Sequence, residues 1–283
     1  MSHSNEFDLV IKPGAIEKNY WQDIWRFREL FYILTWRDLK VRYKQTVLGV
    51  AWSVIRPLLS TIIFSVLFGR IAKMNSEVDI KYYLVFVFAA MLPWQFFSNA
   101  LAESSNSIVQ NANLITKIYF PRIIIPASTV IVSLVDFLIS FALLLCMFAY
   151  YQLMPSWKMI FLPGFLMLAF LAAFGFGLML TAVNVKYRDF RFVMPFIIQF
   201  GMFLSPVAYS SLVVQQNFGI TARLFYSLNP LVGVIDGFRW AIFGKEEILY
   251  LPGLFISIGV TFLMLWAGIR YFRSTEKGFA DSI

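Results

Sequence analysis

Residues 104–122 read SSNSIVQNANLITKIYFPR, the longest polar interruption between the hydrophobic runs in the first half of the chain. The stretch still has helical order. Ile108, Ala112, Ile115 and Tyr119 recur at helical spacing and would share one face, with Leu114 beside them. Ser105, Asn106 and Ser107 are residue types that cap helix N-termini, and Pro121 stops the pattern and opens the next run. Two readings fit. Either a short amphipathic helix between two membrane spans docks on something outside the membrane, or this is a solvated loop with a helical turn.

The flanking runs decide the class. The chain has 283 residues, 59% of them hydrophobic and 14% charged, whereas a soluble domain carries about a quarter charged. Several runs approach or exceed the roughly 20 apolar residues that cross a bilayer. The expected fold is therefore an all-α polytopic membrane protein. The single cysteine, Cys146, excludes an internal disulfide, and with His3 as the one histidine there is no Cys/His metal site. The first thirty residues are polar and hold no apolar signal-peptide core.

In chain order, residues 1–19 read as a polar tail. Residues 20–34 and 36–49 are amphipathic, aromatic and basic, the composition of helices lying in a membrane interface or packed on the protein's own face. Spans are expected at 50–71, 82–101, 123–150, 159–183, 192–209 and 251–271. Pro57 would sit near the first helix's start. A polar loop, 72–81, follows the first span. Residues 210–250 are too polar for a clean span and too apolar for a free loop. They read as short half-inserted helices near 219–228 and 231–243, broken at Asn229-Pro230 and shielded by protein or water. The whole chain, 1–283, reads as one transmembrane domain: interfacial helices at 20–49, a six-helix membrane part at 50–271, and the irregular region 210–250 within it.

Six spans put both termini on one side. That side's segments hold 17 of the 24 Lys and Arg residues, which places both termini, residues 104–122 and the turn 184–191 in the cytoplasm. The net charge of +8 is thus the mark of basic cytoplasmic segments rather than of nucleic-acid binding. No internal repeat supports an inverted-repeat carrier.

Chemistry-bearing residues are few. Asp136 falls near the middle of the third span, where a carboxylate is functional, paired or facing water. Glu103 sits at the cytoplasmic end of the second span. Asp236 and Arg239 are spaced for a local ion pair. There is no Walker A pattern, so a driven transport cycle would need its engine in another subunit. Aromatics make up 18% of the chain. Tyr82, Tyr83 and Trp94 suit interface belts. Phe192, Phe196, Phe200 and Phe203 form one continuous face that could line a path for sugars or pack against lipid and helices. Ala169, Ala173 and Gly177 form a small-residue face that admits close helix approach.

These stretches resemble a known family, the membrane subunits of ABC-2 type polysaccharide exporters. The resemblance covers residues 20–278. It is carried by LTWRDLKVRYKQTVLGVAWSVIRPL (34–58), LPWQFFSNALAESSNSIVQNANLITKIYFPRIIIP (92–126), VNVKYRDF (183–190), SPVAYS (205–210) and LNPLVGVIDGFRWAIFG (228–244). It implies the ABC-2 permease fold in the bacterial cytoplasmic (inner) membrane. Two copies of the chain would pair with two copies of a separate ABC ATP-binding subunit that holds ATP and Mg, leaving no cofactor and no catalytic residue on this chain. The substrate implied is a polyprenyl-linked glycan of O-antigen, capsule or teichoic acid type.

Residue by residue, the resemblance assigns ATPase coupling to the helix carrying Ile108, Ala112, Leu114, Ile115 and Tyr119. Channel lining falls to Phe192, Phe196, Phe200, Phe203, Tyr209, Trp94 and Phe97. An outer gate would include Asn229, Pro230, Asp236, Arg239 and Trp240. The cytoplasmic mouth would use Trp36, Arg37, Lys40, Tyr43, Lys44 and Arg56. Two other functions compete: an ABC-2 permease for a small lipid or drug, and a membrane-embedded glycan-modifying enzyme.

Overall fold

The computed structural model describes residues 20–44, 49–71, 80–154, 156–187 and 189–279. The expected tail 1–19 and most of the loop 72–81 lie outside them. Every regular element among the described residues is helical: α1 (Tyr20–Arg26), α2 (Arg28–Lys44), α3 (Gly49–Phe64), α4 (Ile80–Gln110), α5 (Ala112–Lys117), α6 (Ile124–Tyr151), α7 (Leu162–Lys186), α8 (Phe190–Phe203), α9 (Ser211–Phe218), α10 (Ile220–Tyr226), α11 (Pro230–Phe243) and α12 (Leu251–Thr275).

Among the described residues, five helical segments are long and apolar enough to cross a membrane: Ala51–Gly69, Tyr82–Gln110, Ile124–Tyr151, Trp157–Lys186 and Leu251–Gly278. The chain is an integral membrane protein. The fifth of the six expected spans is shorter than its sequence suggests. It is α8, 14 residues, which at a rise of ~1.5 Å per residue reaches about 21 Å against a hydrocarbon core of ~30 Å. Its expected continuation to Tyr209 fails because Pro206 has no N–H to donate and its ring clashes with a helical carbonyl. The chain turns instead. The wholly buried Arg239 then satisfies the exposed backbone, donating to the carbonyls of Pro206 (2.7 Å), Tyr209 (2.7 Å) and Val207 (2.8 Å).

The apolar core is built around α4, whose residues 85–92 are almost completely buried against α6, α7 and α11. The expected small-residue face is where α7 meets α4: Ala169, Ala173 and Gly177 are buried, and a Cβ on Gly177 would strike Ser104. Thr181 donates to the Ser104 carbonyl (2.7 Å) and Asn184 to the Ser105 carbonyl (2.8 Å), which extends this contact with polar bonds. On its other side α7 packs backbone to backbone with α12. A Cβ on Gly175 would lie 2.6 Å from the Leu265 Cα, and one on Gly268 would meet the Gly175 carbonyl. Small residues supply this association where the hydrophobic effect between helices is weak.

One end of the bundle carries α1, α2, α5 and the last turns of α12. There a second apolar cluster joins Tyr20, Leu34, Ile108, Ile115, Phe120, Ile124, Leu178 and Phe272. Glu276 fastens it, accepting from the Tyr20 hydroxyl (3.0 Å) and the Arg122 backbone N–H (2.8 Å). The opposite end carries the turn Trp157–Phe161, α9, α10 and the turn Glu246–Ile248.

The break expected at Asn229-Pro230 is present between α10 and α11. Asn229 caps α11 by accepting from the Leu231 N–H (3.0 Å), and Pro230 occupies the first turn, where no N–H is needed. A third short helix in this region, α9, was not foreseen. Tyr83 and Trp94 are buried rather than lying in an interface belt, because α4 is central. Pro57 lies inside α3 instead of at its start. The carbonyl it leaves without a helical donor, that of Ser53, accepts from Ser140 on α6 (2.8 Å).

Candidate functional site

The expected helix at 104–122 divides differently from its sequence pattern. Helix α4 runs unbroken to Gln110, and the separate piece is the six-residue α5. Ser105, Asn106 and Ser107 cap nothing. They lie inside α4 and bond back to carbonyls of the preceding turn at 2.9, 3.0 and 2.7 Å, as short polar side chains do in mid-helix. Asn111 is the joint, and Arg37 of α2 donates to its side chain (2.9 Å).

The apolar face points inward. Ile108 is completely buried and Ile115 nearly so, both in the cluster that holds α1, α2 and α12 together. Ala112 and Leu114 are half-buried. The surface offered outward is Val109, Ile118 and Tyr119, with Asn113, Thr116 and Lys117. Ile108 and Ile115, which the resemblance assigns to ATPase coupling, are thus side chains that the chain's own core already uses.

Deeper in the bundle, four helices converge on Asp136. Its Oδ1 accepts from Tyr43 on α2 (2.6 Å) and Ser53 on α3 (2.7 Å). Its Oδ2 faces Arg42 at 3.0 Å, and Arg42 also reaches Glu103 of α4 at 3.2 Å. The carboxylate expected to be paired or wet in the membrane is thus paired, from α2 and α3, and Arg42 ties it to Glu103 of α4. Burial, reinforced by the bond to Asp136, pushes the Tyr43 hydroxyl up to about 12, so it stays a donor at physiological pH.

A cavity of about 270 Å³ opens beside this network, bounded by Trp52 and Arg56 of α3, Gln95, Phe96 and Asn99 of α4, and Phe137 of α6. The remaining residues assigned to the cytoplasmic mouth do not gather there. Trp36 and Lys40 pair with each other on the exposed face of α2, ammonium over ring at 5.2 Å, and Lys44 is exposed at its end.

The aromatic stripe on α8 is open. Phe192, Phe196, Phe200 and Phe203 are each 52–64% exposed. Trp94 and Phe97 do not join it. They are buried beneath α8 and line a second, apolar cavity of about 400 Å³ with Tyr226, Asn229 and Met264. Tyr209 bonds to Tyr226, oxygen to oxygen at 3.0 Å, at its edge.

The residues assigned to an outer gate serve the fold of that end. Asp236 accepts from Ser211 and faces Arg223 at 3.9 Å, so the ion pair spaced for Arg239 goes to Arg223 while Arg239 holds the turn after α8. Trp240 donates to Glu246 (3.0 Å), which also pairs with Lys158. Those two donors hold the Glu246 carboxyl below the usual range. Sequence reasoning missed Gln95, Asn99 and Trp52. Gln95, Asn99 and Glu103 do recur every four residues, a polar line inside an apolar span that could have been read.

A bundle of long apolar helices, with a polar cavity inside it and its short N-terminal helices gathered at one end, defines a polytopic membrane protein. Residues 29–243 match the family of ABC-2 type transporters, and the chain belongs to that family. It is similar to the O-antigen export system permease protein RfbA of Myxococcus xanthus, 28% identical over 263 residues, 93% of this chain and 98% of that one. It is also similar to the protein of the same name from Klebsiella pneumoniae, 28% identical over 260 residues, 89% of this chain and 94% of that one.

Proposed function

We propose that this chain is the transmembrane subunit of an ATP-driven exporter that moves a polyprenyl-linked polysaccharide of O-antigen type across the bacterial cytoplasmic membrane. The observation that carries the reading is end-to-end similarity to O-antigen export permeases, on a fold whose α8 presents four exposed aromatic rings in a row. Rings of that kind stack on the apolar faces of sugars. Two copies face each other across the α8 stripes, and each engages an ABC ATP-binding subunit that carries ATP and Mg. Both termini lie in the cytoplasm.

The partner docks on the end that holds α1, α2 and α5. Val109, Ile118 and Tyr119 are its apolar contacts, and Arg37–Asn111 ties the two docking pieces into one surface. The Asp136 network then links α2 to α3, α4 and α6, so a push on the docking end reaches the membrane helices through charged bonds rather than through a flexible loop.

The test is deletion of the gene in its host, followed by gel analysis of surface polysaccharide and of the lipid-linked pool. Loss of the surface polymer with accumulation inside is expected. Unchanged surface polymer with no accumulation inside refutes the reading and favours a permease for a small lipid or drug.

A further inference from the structure

We propose that the cavity between α2, α3, α4 and α6 is a saccharide-binding site in which Gln95, Asn99 and Trp52 contact one sugar unit of the transported glycan. The proposal rests on the export reading above. It concerns residues outside the α8 stripe.

The argument starts from α4. Gln95, Asn99 and Glu103 lie one turn apart on a single face of α4, directly after its almost completely buried apolar stretch 85–92. Both amide residues are half-buried, and neither side-chain amide takes part in a hydrogen bond among the described residues. Their donors and acceptors therefore face the cavity, free to bind water or the hydroxyls of a polar ligand. Glu103 is held by Arg42.

Across the cavity stand Trp52 and Arg56, also one turn apart, with the guanidinium 5.8 Å from the indole centroid. Phe96 and Phe137 complete the walls, and Ser140 and Asp136 supply further polar atoms.

Three properties select the ligand. A carboxamide both donates and accepts, which matches a hydroxyl that does the same. An indole face matches the C–H face of a sugar ring. Charge is balanced: Arg42 and Arg56 stand against Glu103 and Asp136, and Arg42 is spent between the two carboxylates at 3.2 and 3.0 Å. A neutral, hydroxyl-rich ring fits this lining better than a phosphate, which would face two carboxylates. The volume, about 270 Å³, falls just below the ~300–1,000 Å³ of sites for drug-sized ligands, the scale of one sugar unit rather than a lipid.

The experiment uses the full chain with its cognate ATPase, in the host and in nanodiscs. In the host, the double variant Gln95→Ala/Asn99→Ala should lower surface polymer at least tenfold, with membrane abundance and detergent melting temperature unchanged. Trp52→Ala should do the same, while Trp52→Phe, which keeps a ring, retains export. In nanodiscs, the host's own surface polysaccharide, cut to oligosaccharides, serves as the probe in saturation-transfer NMR. Transfer should be strong for the parent, clearly weaker in the double variant, which keeps the α8 stripe, and insensitive to inorganic pyrophosphate.

Parental export by the double variant overturns the site, and so does equal transfer to parent and variant. Displacement by pyrophosphate overturns it as well, since that makes the cavity an anion site. If gene deletion abolishes surface polymer while the double variant exports normally, the cavity assignment fails and the exporter reading stands. If deletion leaves the polymer untouched, the exporter reading itself fails.

Discussion

Asp136→Ala tests whether the buried carboxylate organises the near half of the bundle. The substitution removes the acceptor for Tyr43 and Ser53 and one of the two anions around Arg42. Each hydrogen bond to a charged group contributes roughly 1.5–3 kcal/mol, and breaking a buried ion pair costs roughly 3–5 kcal/mol. Both figures must be discounted here. Arg42 is partly exposed and keeps Glu103, and the adjoining cavity admits water to the freed hydroxyls. A net loss of about 2–4 kcal/mol follows. For a chain of this size each kcal/mol moves the melting temperature by roughly 2–4 °C, so the expected drop is about 5–15 °C. The assay is fluorescence-detected size-exclusion chromatography after heating in detergent. Asp136→Asn, which still accepts from the hydroxyls but cannot pair with Arg42, should fall between variant and parent. An Asp136→Ala protein that melts within 2 °C of the parent refutes the reasoning, and the network would then be incidental to stability.

Three further predictions concern packing and charge. Gly175→Val forces α7 away from Leu265 of α12 and should cost about 1–3 kcal/mol or prevent folding, whereas Gly164→Ala, whose new methyl meets nothing within 4 Å, should leave the melting temperature unchanged. Glu276→Ala removes the acceptor for Tyr20 and the Arg122 N–H, so limited proteolysis should cut near α1 faster than in the parent. At the opposite end, Glu246 has its carboxyl lowered by Lys158 and Trp240, so its contribution is present above the ordinary carboxylate range and lost as pH falls through the lowered value. Tryptophan fluorescence should therefore stay flat from pH 9 to pH 5 and change only in stronger acid. High salt should weaken the same contact, since Glu246 is exposed.

Much of the fold was legible because a bilayer permits few solutions. Long apolar runs must be helices, and residues 123–150 became α6 nearly residue for residue. The break at Asn229-Pro230 was readable because capping and proline chemistry act over one turn. What periodicity cannot tell is which partner a face meets. The pattern Ile108–Ile115 marked an apolar face correctly, but the chain's own α1, α2 and α12 occupy it. The α8 stripe, equally apolar, remained open. Asp236 and Arg239 had the spacing of an ion pair, yet Arg223, thirteen positions before Asp236, and the carbonyls after α8 were nearer in space.

The sequence by itself determined an all-helical integral membrane chain, the positions of its apolar runs, its basic side and the family stretches, because hydropathy, proline and charge act locally. The tertiary structure decided that Arg239 holds the turn after α8, that Ile108 and Ile115 belong to the interior, and that Asp136 is paired from α2 and α3. It also decided that Gln95, Asn99 and Trp52 share one cavity. Each of these depends on contacts between residues tens of positions apart, and no window of sequence contains both partners of such a contact.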